Sequence, residues 1–124
     1  MPFKILIVDD EPNILIPLQF LMERNGYDVI VAQSGEEAFE MIYQYMPDLV
    51  LLDIMLPGVD GYEICEVIRL RNELKHIKII FLSAKGRDIN IARGMALGAD
   101  AYITKPFSNA KVLKNVKNLL NDGK

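Results

Sequence analysis

The sequence has a single cysteine, Cys65, which excludes an intrachain disulfide and suits a reducing cytosol. An inert thiol inside a helix is the expectation for it. No apolar run approaches the roughly 20 residues needed to cross a bilayer. Met1-Pro2-Phe3-Lys4 leads into a strand pattern and not into a signal peptide. There is no block of like charges. The formal net charge of -3 is spread along the chain, so neither direct nucleic-acid binding nor an anionic membrane surface has an electrostatic footprint. Internal repeats, linkers and low-complexity stretches are also missing. These absences predict a soluble, cytoplasmic protein, and 124 residues, 51% of them hydrophobic, suffice for one domain with one core.

What is present begins with four short apolar runs that end on polar residues. Lys4-Ile5-Leu6-Ile7-Val8 stops at Asp9-Asp10, Leu49-Val50-Leu51-Leu52 at Asp53, Ile79-Ile80-Phe81-Leu82 at Ser83, and Ala101-Tyr102-Ile103 at Thr104-Lys105. Such runs suit parallel strands covered on both faces. A fifth strand, Val29-Ile30-Val31, has no such group at its end.

Helical patterns lie between the strands. Pro12 opens the first, with Ile14, Leu15, Leu18, Leu21 and Met22 on one side, an end near Asn25-Gly26, and a distorted second turn expected at Pro17. Ser34-Gly35-Glu36-Glu37 has capping-box spacing ahead of the second. The third carries Ile64, Val67 and Ile68. The fourth follows a polar loop from Ser83 to Asp88 and ends at Gly98, and the fifth shows Val112, Leu113, Val116, Leu119 and Leu120. Alternation of this kind predicts an α/β fold, a flavodoxin-like, doubly wound five-stranded parallel sheet of order 2-1-3-4-5 with five helices. That order brings Asp9, Asp10 and Asp53 together and delivers Ser83 and Lys105 beside them.

Three carboxylates in one pocket repel each other and call for a cation. A hard divalent ion with oxygen ligands, magnesium or manganese, fits and leaves positions open for a phosphoryl oxygen. Lys105 supplies a point charge and Ser83 a hydroxyl for such a group. An aspartate can accept a phosphoryl group as a nucleophile, and the central Asp53 is the best candidate.

At this point the chain resembles the receiver domain of two-component response regulators, CheY-like proteins, over the whole of residues 1–124. The resemblance rests on Val8-Asp9-Asp10-Glu11, Leu51-Leu52-Asp53-Ile54-Met55-Leu56-Pro57-Gly58, Leu82-Ser83-Ala84-Lys85, and the stretch from Gly98 through Lys105-Pro106-Phe107. It implies a single receiver domain, a signalling switch that catalyses only its own phosphoryl transfer and loss. Asp53 would be the phosphoacceptor, Asp10 the main acidic metal ligand with Asp9 in support, and the Met55 carbonyl a further ligand. Lys105 would pair with the phosphoryl group, Ser83 would move to bond it, Tyr102 would be a rotating aromatic, and the Lys105-Pro106 peptide bond would be cis. The implied partners are a sensor histidine kinase or a histidine phosphotransfer protein. Output would leave by the fourth helix, fifth strand and fifth helix, toward an acidic partner or a second copy. Arg87, Arg93, Lys111, Lys114 and Lys117 lie along that face, although Asn115 stands where winged-helix relatives pair through an arginine.

One departure and several rivals matter. The family more often has threonine where Ser83 stands, and serine keeps the hydroxyl while freeing its rotamer. A haloacid-dehalogenase-like phosphohydrolase wants a carboxylate two residues after the nucleophile, where this chain has Met55. A flavin carrier would place its phosphate loop where Asp9-Asp10-Glu11 would repel it. A pseudo-receiver acting as a binding module would not keep these acids and Lys105. Met41, Met55 and Met95 are expected to be packing residues, and His76 a solvated loop residue.

Overall fold

Every apolar run forms a strand in the computed structural model, which describes residues 2–84 and 88–121. The elements are β1 (Lys4–Val8), α1 (Pro12–Arg24), β2 (Asp28–Ala32), α2 (Gly35–Tyr45), β3 (Leu49–Asp53), α3 (Gly61–Leu70), β4 (Lys78–Ser83), α4 (Asp88–Ala96), β5 (Ala101–Thr104) and α5 (Asn109–Leu119). The sheet is parallel with order β2-β1-β3-β4-β5, the flavodoxin-like, CheY-type arrangement expected. Because side chains alternate across a strand, each strand feeds two cores. Leu6, Val8, Val50, Leu52, Ile79 and Phe81 pack with α2 and α3. Ile5, Ile7, Leu49, Leu51, Ile80 and Leu82 pack with α1 and α5. β3 is buried at all five positions, which is why it reads as an unbroken apolar run.

Local chemistry sets the helix starts. Ser34 Oγ accepts the Glu37 N–H at 3.1 Å, Asp60 Oδ1 the Glu63 N–H at 3.0 Å, and Ser108 Oγ the Lys111 N–H at 3.1 Å. The reciprocal bond of the expected capping box goes one residue further back, from the Gln33 N–H to Glu37 Oε1. Pro17 does not interrupt α1. The carbonyl it leaves unbonded belongs to the exposed Asn13, where water can serve it. Asp88 opens α4 and does not close the loop before it, because its helical backbone starts there. Gly98, at φ +102°, takes the left-handed turn that ends this helical stretch. Met55 and Met95 are not packing residues, being 59% and 44% exposed. Each sits where a loop or helix face turns to solvent, while Met41 packs at the edge of the core. His76 is exposed. Among the described residues no helix is long and apolar enough to cross a membrane.

The amino edge of the sheet is tied by one side chain that the periodic patterns do not reveal. Arg69, near the end of α3, donates through Nε to the Gly98 carbonyl at 2.7 Å and through Nη1 to the Ile77 carbonyl at 2.6 Å. Its Nη2 meets Asp100 Oδ2 at 2.8 Å, and the same oxygen accepts the Ile79 N–H at 2.8 Å. One guanidinium thereby joins α3 to the entries of β4 and β5.

Candidate functional site

The opposite, carboxyl edge carries the polar strand ends. β1 runs into Asp9, fully buried, whose Oδ1 accepts the Glu11 N–H at 2.9 Å. This local turn fixes the carboxylate just before Pro12 starts α1. Asp53 closes β3 at 2% exposure, and its Oδ1 accepts the Met55 N–H at 3.3 Å. Lys105 follows β5 and reaches back across the sheet end. Its Nζ lies 3.4 Å from Asp9 Oδ2, 3.2 Å from Glu11 Oε1 and 3.7 Å from Asp53 Oδ2. The backbone N–H of Lys105 also donates to the Ser83 carbonyl at 2.7 Å, which locks the two strand exits together. Ser83 is fully buried, one residue beyond Leu82, the register partner of Asp53.

The sequence-predicted residues therefore converge, with one addition. Carboxylate oxygens of Asp9, Asp10, Glu11 and Asp53 all lie within 4.8 Å of one another. Glu11 was the member that motif reading left without a role. The signal for it was present, since three acids in a row leave β1 and the third can fold back over Lys105. Met55 projects its side chain outward while its backbone stays beside Asp53. Tyr102 is half-buried on β5, in register with Phe81, and the Lys105–Pro106 peptide bond is cis. Lys85 and Arg87 lie outside the described residues.

The loop bearing Met55 is pinned at its far end. Gly61, the first residue of α3, donates its N–H to the Ile54 carbonyl at 3.0 Å. A Cβ built there would lie 2.5 Å from the Asp53 carbonyl oxygen and 2.8 Å from the Ile54 Cα. Both neighbours are backbone and cannot swing aside, so only glycine lets α3 dock this closely.

Electrostatics follow from this crowding. Burial, then the charge of Asp9, pushes the Asp53 carboxyl up from 3.8 to about 6, although Lys105 and the Met55 N–H favour its charged form. Asp9 is raised too, chiefly by burial. Burial alone would lower the Lys105 ammonium, but Asp53, Asp9 and Glu11 outweigh it, and its pKa is raised. Lys105 is thus firmly charged and shared among acids that outnumber it. Closely spaced hard oxygen donors with surplus negative charge fit a divalent cation of the magnesium or manganese type. Cys65 takes no part: burial raises its thiol to about 11, far above the range of a reactive thiolate.

Comparison with known proteins agrees with this geometry. The family model for the response regulator receiver domain matches residues 5–117. A chain described as a response regulator from Chloroflexus aurantiacus J-10-fl superposes with a TM-score of 0.91 at 37% identity, covering 98% of this chain and 99% of that one. A CheY-like receiver domain protein from Methanospirillum hungatei JF-1 gives 0.89 at 33% identity, covering 98% and 95%. The BeF3-activated N-terminal receiver domain of RstA from Klebsiella pneumoniae gives 0.85 at 33% identity, covering 96% and 99%. The arrangement of Asp9, Asp53 and Lys105 at the strand ends is therefore carried by a chain that belongs to the response regulator receiver domain family.

Proposed function

We propose that residues 1–124 form a single receiver domain that works as a phosphorylation-dependent switch, with Asp53 as the phosphoacceptor. One observation carries this reading: Asp53 ends the central, fully buried strand with Oδ1 held by the Met55 N–H and Oδ2 facing Lys105. The donor is a phosphohistidine on a sensor histidine kinase or a histidine phosphotransfer protein. An Asp53 carboxylate oxygen attacks phosphorus, the new O–P bond forms as the P–N bond breaks, and the imidazole nitrogen keeps the electron pair. Asp9, Asp10 and Asp53, with the Met55 carbonyl, would hold magnesium or manganese, which when bound offsets charge on the phosphoryl oxygens.

The chain's own residues do the rest. Lys105 is drawn from Asp9 and Glu11 toward the incoming phosphoryl oxygens, and the Ser83 hydroxyl bonds one of them. Phosphorylation adds about -1.5 to -2 charges and three strong acceptors at this spot. Movement of Ser83 opens space for Tyr102, and the change reaches the face formed by α4, β5 and α5, where Lys111 and Lys114 are exposed to an acidic partner or a second copy. The phosphohydrolase alternative lacks support at Met55, whose thioether has no proton to give a leaving group.

Incubation with a small phosphodonor and magnesium is expected to add one phosphoryl group, seen by mass spectrometry, and Asp53→Asn to abolish it. Undiminished single labelling of the Asn variant would refute the assignment.

A further inference from the structure

Tyr62 has no part in the chemistry above, yet it is only 6% exposed and sits at the junction of three elements. As the second residue of α3, it meets Phe81 of β4 edge-on, with ring centroids 5.4 Å apart. The guanidinium carbon of Arg93, on α4, stands 4.2 Å over its ring. Tyr102 of β5 lies against the same Phe81 at 6.0 Å, and the Tyr62 and Tyr102 hydroxyls share a hydrogen bond. A side chain on Gly94 would begin 3.1 Å from Phe81 and 3.2 Å from Tyr102, so α4 closes over both rings. Beside them Tyr62 and Arg93 line a cavity of about 400 Å³ that runs to Met55, next to Asp53.

We propose that Tyr62 is a positioning residue that holds Tyr102 in its half-buried rotamer, with Phe81 as the surface both rings rest on and Arg93 fastening Tyr62 from α4. This rests on the reading of Tyr102 as the switch aromatic and says what that switch turns against. Side chains occupy discrete rotamers, so Tyr102 has separate half-buried and outward positions. Turning its hydroxyl away from water costs free energy unless a partner is waiting. Tyr62 is that partner. A phosphoryl group that favours the half-buried rotamer through Ser83 is therefore helped by Tyr62, and by linkage Tyr62 helps the acid site bind a phosphoryl group or its mimic.

The test is Tyr62→Phe, which keeps the ring on Phe81 and removes only the hydroxyl. In protein labelled with ring-13C tyrosine and containing magnesium, broadening of the Tyr102 signal by a soluble nitroxide is expected to increase in the variant. The beryllofluoride concentration at half-saturation should rise about three- to tenfold, the size of one net hydrogen bond. In a Tyr102→Phe background the same substitution should move half-saturation by less than about 1.5-fold, a result that simple loss of packing would not give. Unchanged Tyr102 broadening in Tyr62→Phe would overturn the proposal. Increased broadening with an unmoved beryllofluoride titration would uphold the clamp and instead refute Tyr102 as the switch.

Discussion

At the amino edge of the sheet one carboxylate, Asp100, meets one guanidinium, Arg69, at 2.8 Å, while Arg69 Nε and Nη1 donate to backbone carbonyls. At the carboxyl edge one ammonium, Lys105, is spread over Asp9, Glu11 and Asp53 at 3.2 to 3.7 Å. The first arrangement is matched in charge and geometry, so disturbing it leaves backbone carbonyls without a donor and the Asp100 carboxylate without its counter-charge. The second has a surplus of negative charge, so its resting form is under repulsion. Under the proposed function a cation and a phosphoryl group would benefit from that imbalance, because the added groups would relieve what the fold leaves unresolved.

The comparison is broken most easily at Arg69. Arg69→Ala is expected to destabilise the chain by about 3 kcal/mol, allowing for partial exposure of the pair. Urea denaturation measures it, and a loss below about 1 kcal/mol would show the amino edge is not held by this side chain.

Removing charge at the other edge should do the reverse. In the folded chain Asp53 keeps its proton to about pH 6, against an ordinary 3.8. A raised carboxyl contributes stability that is full below pH 3.8 and is lost as pH rises through 6. That loss amounts to at most about 3 kcal/mol. Asparagine never charges, so chelator-treated Asp53→Asn should be more stable than the parent by about 2 kcal/mol at pH 8. The advantage should vanish near pH 4. An advantage independent of pH would mean that charge repulsion is not its source.

The smallest effect concerns lifetime. An acyl phosphate is lost when water attacks in line, and Met55, beside Asp53, offers that water no strong hydrogen bond. Met55→Asn is expected to speed self-dephosphorylation about tenfold, the worth of one well-placed hydrogen bond. Because Met55 is exposed, stability should change by less than about 0.5 kcal/mol. Equal decay rates would show that water access is set elsewhere.

The two edges also differ in how far the sequence announced them. β1, β3 and β4 were legible because buried parallel strands are apolar at consecutive positions, the half-buried β5 because its short apolar run stops at Thr104-Lys105, and the acids stood out because they break such runs. Asp9, Asp53, Ser83 and Lys105 could thus be placed together from strand order alone. Arg69 and Asp100 could not. They are 31 residues apart, and an arginine late in an amphipathic helix looks like any solvated charge until the fold brings Gly98 and Ile77 to it. The Tyr62–Tyr102 contact was hidden for the same reason, since α3's stripe of Ile64, Val67 and Ile68 gave no hint that Tyr62 turns in. Met55 and Met95 were misjudged because side-chain type carries no direction in a loop or on a helix rim.

The close seating of Gly61 on the backbone of Asp53 and Ile54 bears on how this chain tolerates change. If Asp53 is the proposed acceptor, a survey of all substitutions scored only by signalling would find positions 53 and 61 equally closed, one because its oxygen would form a bond to phosphorus, the other because a methyl has nowhere to go. The two are separated by asking what remains when signalling is gone: a variant lacking the acceptor is still a folded protein, whereas one with a side chain at 61 has lost the floor on which the acceptor stands.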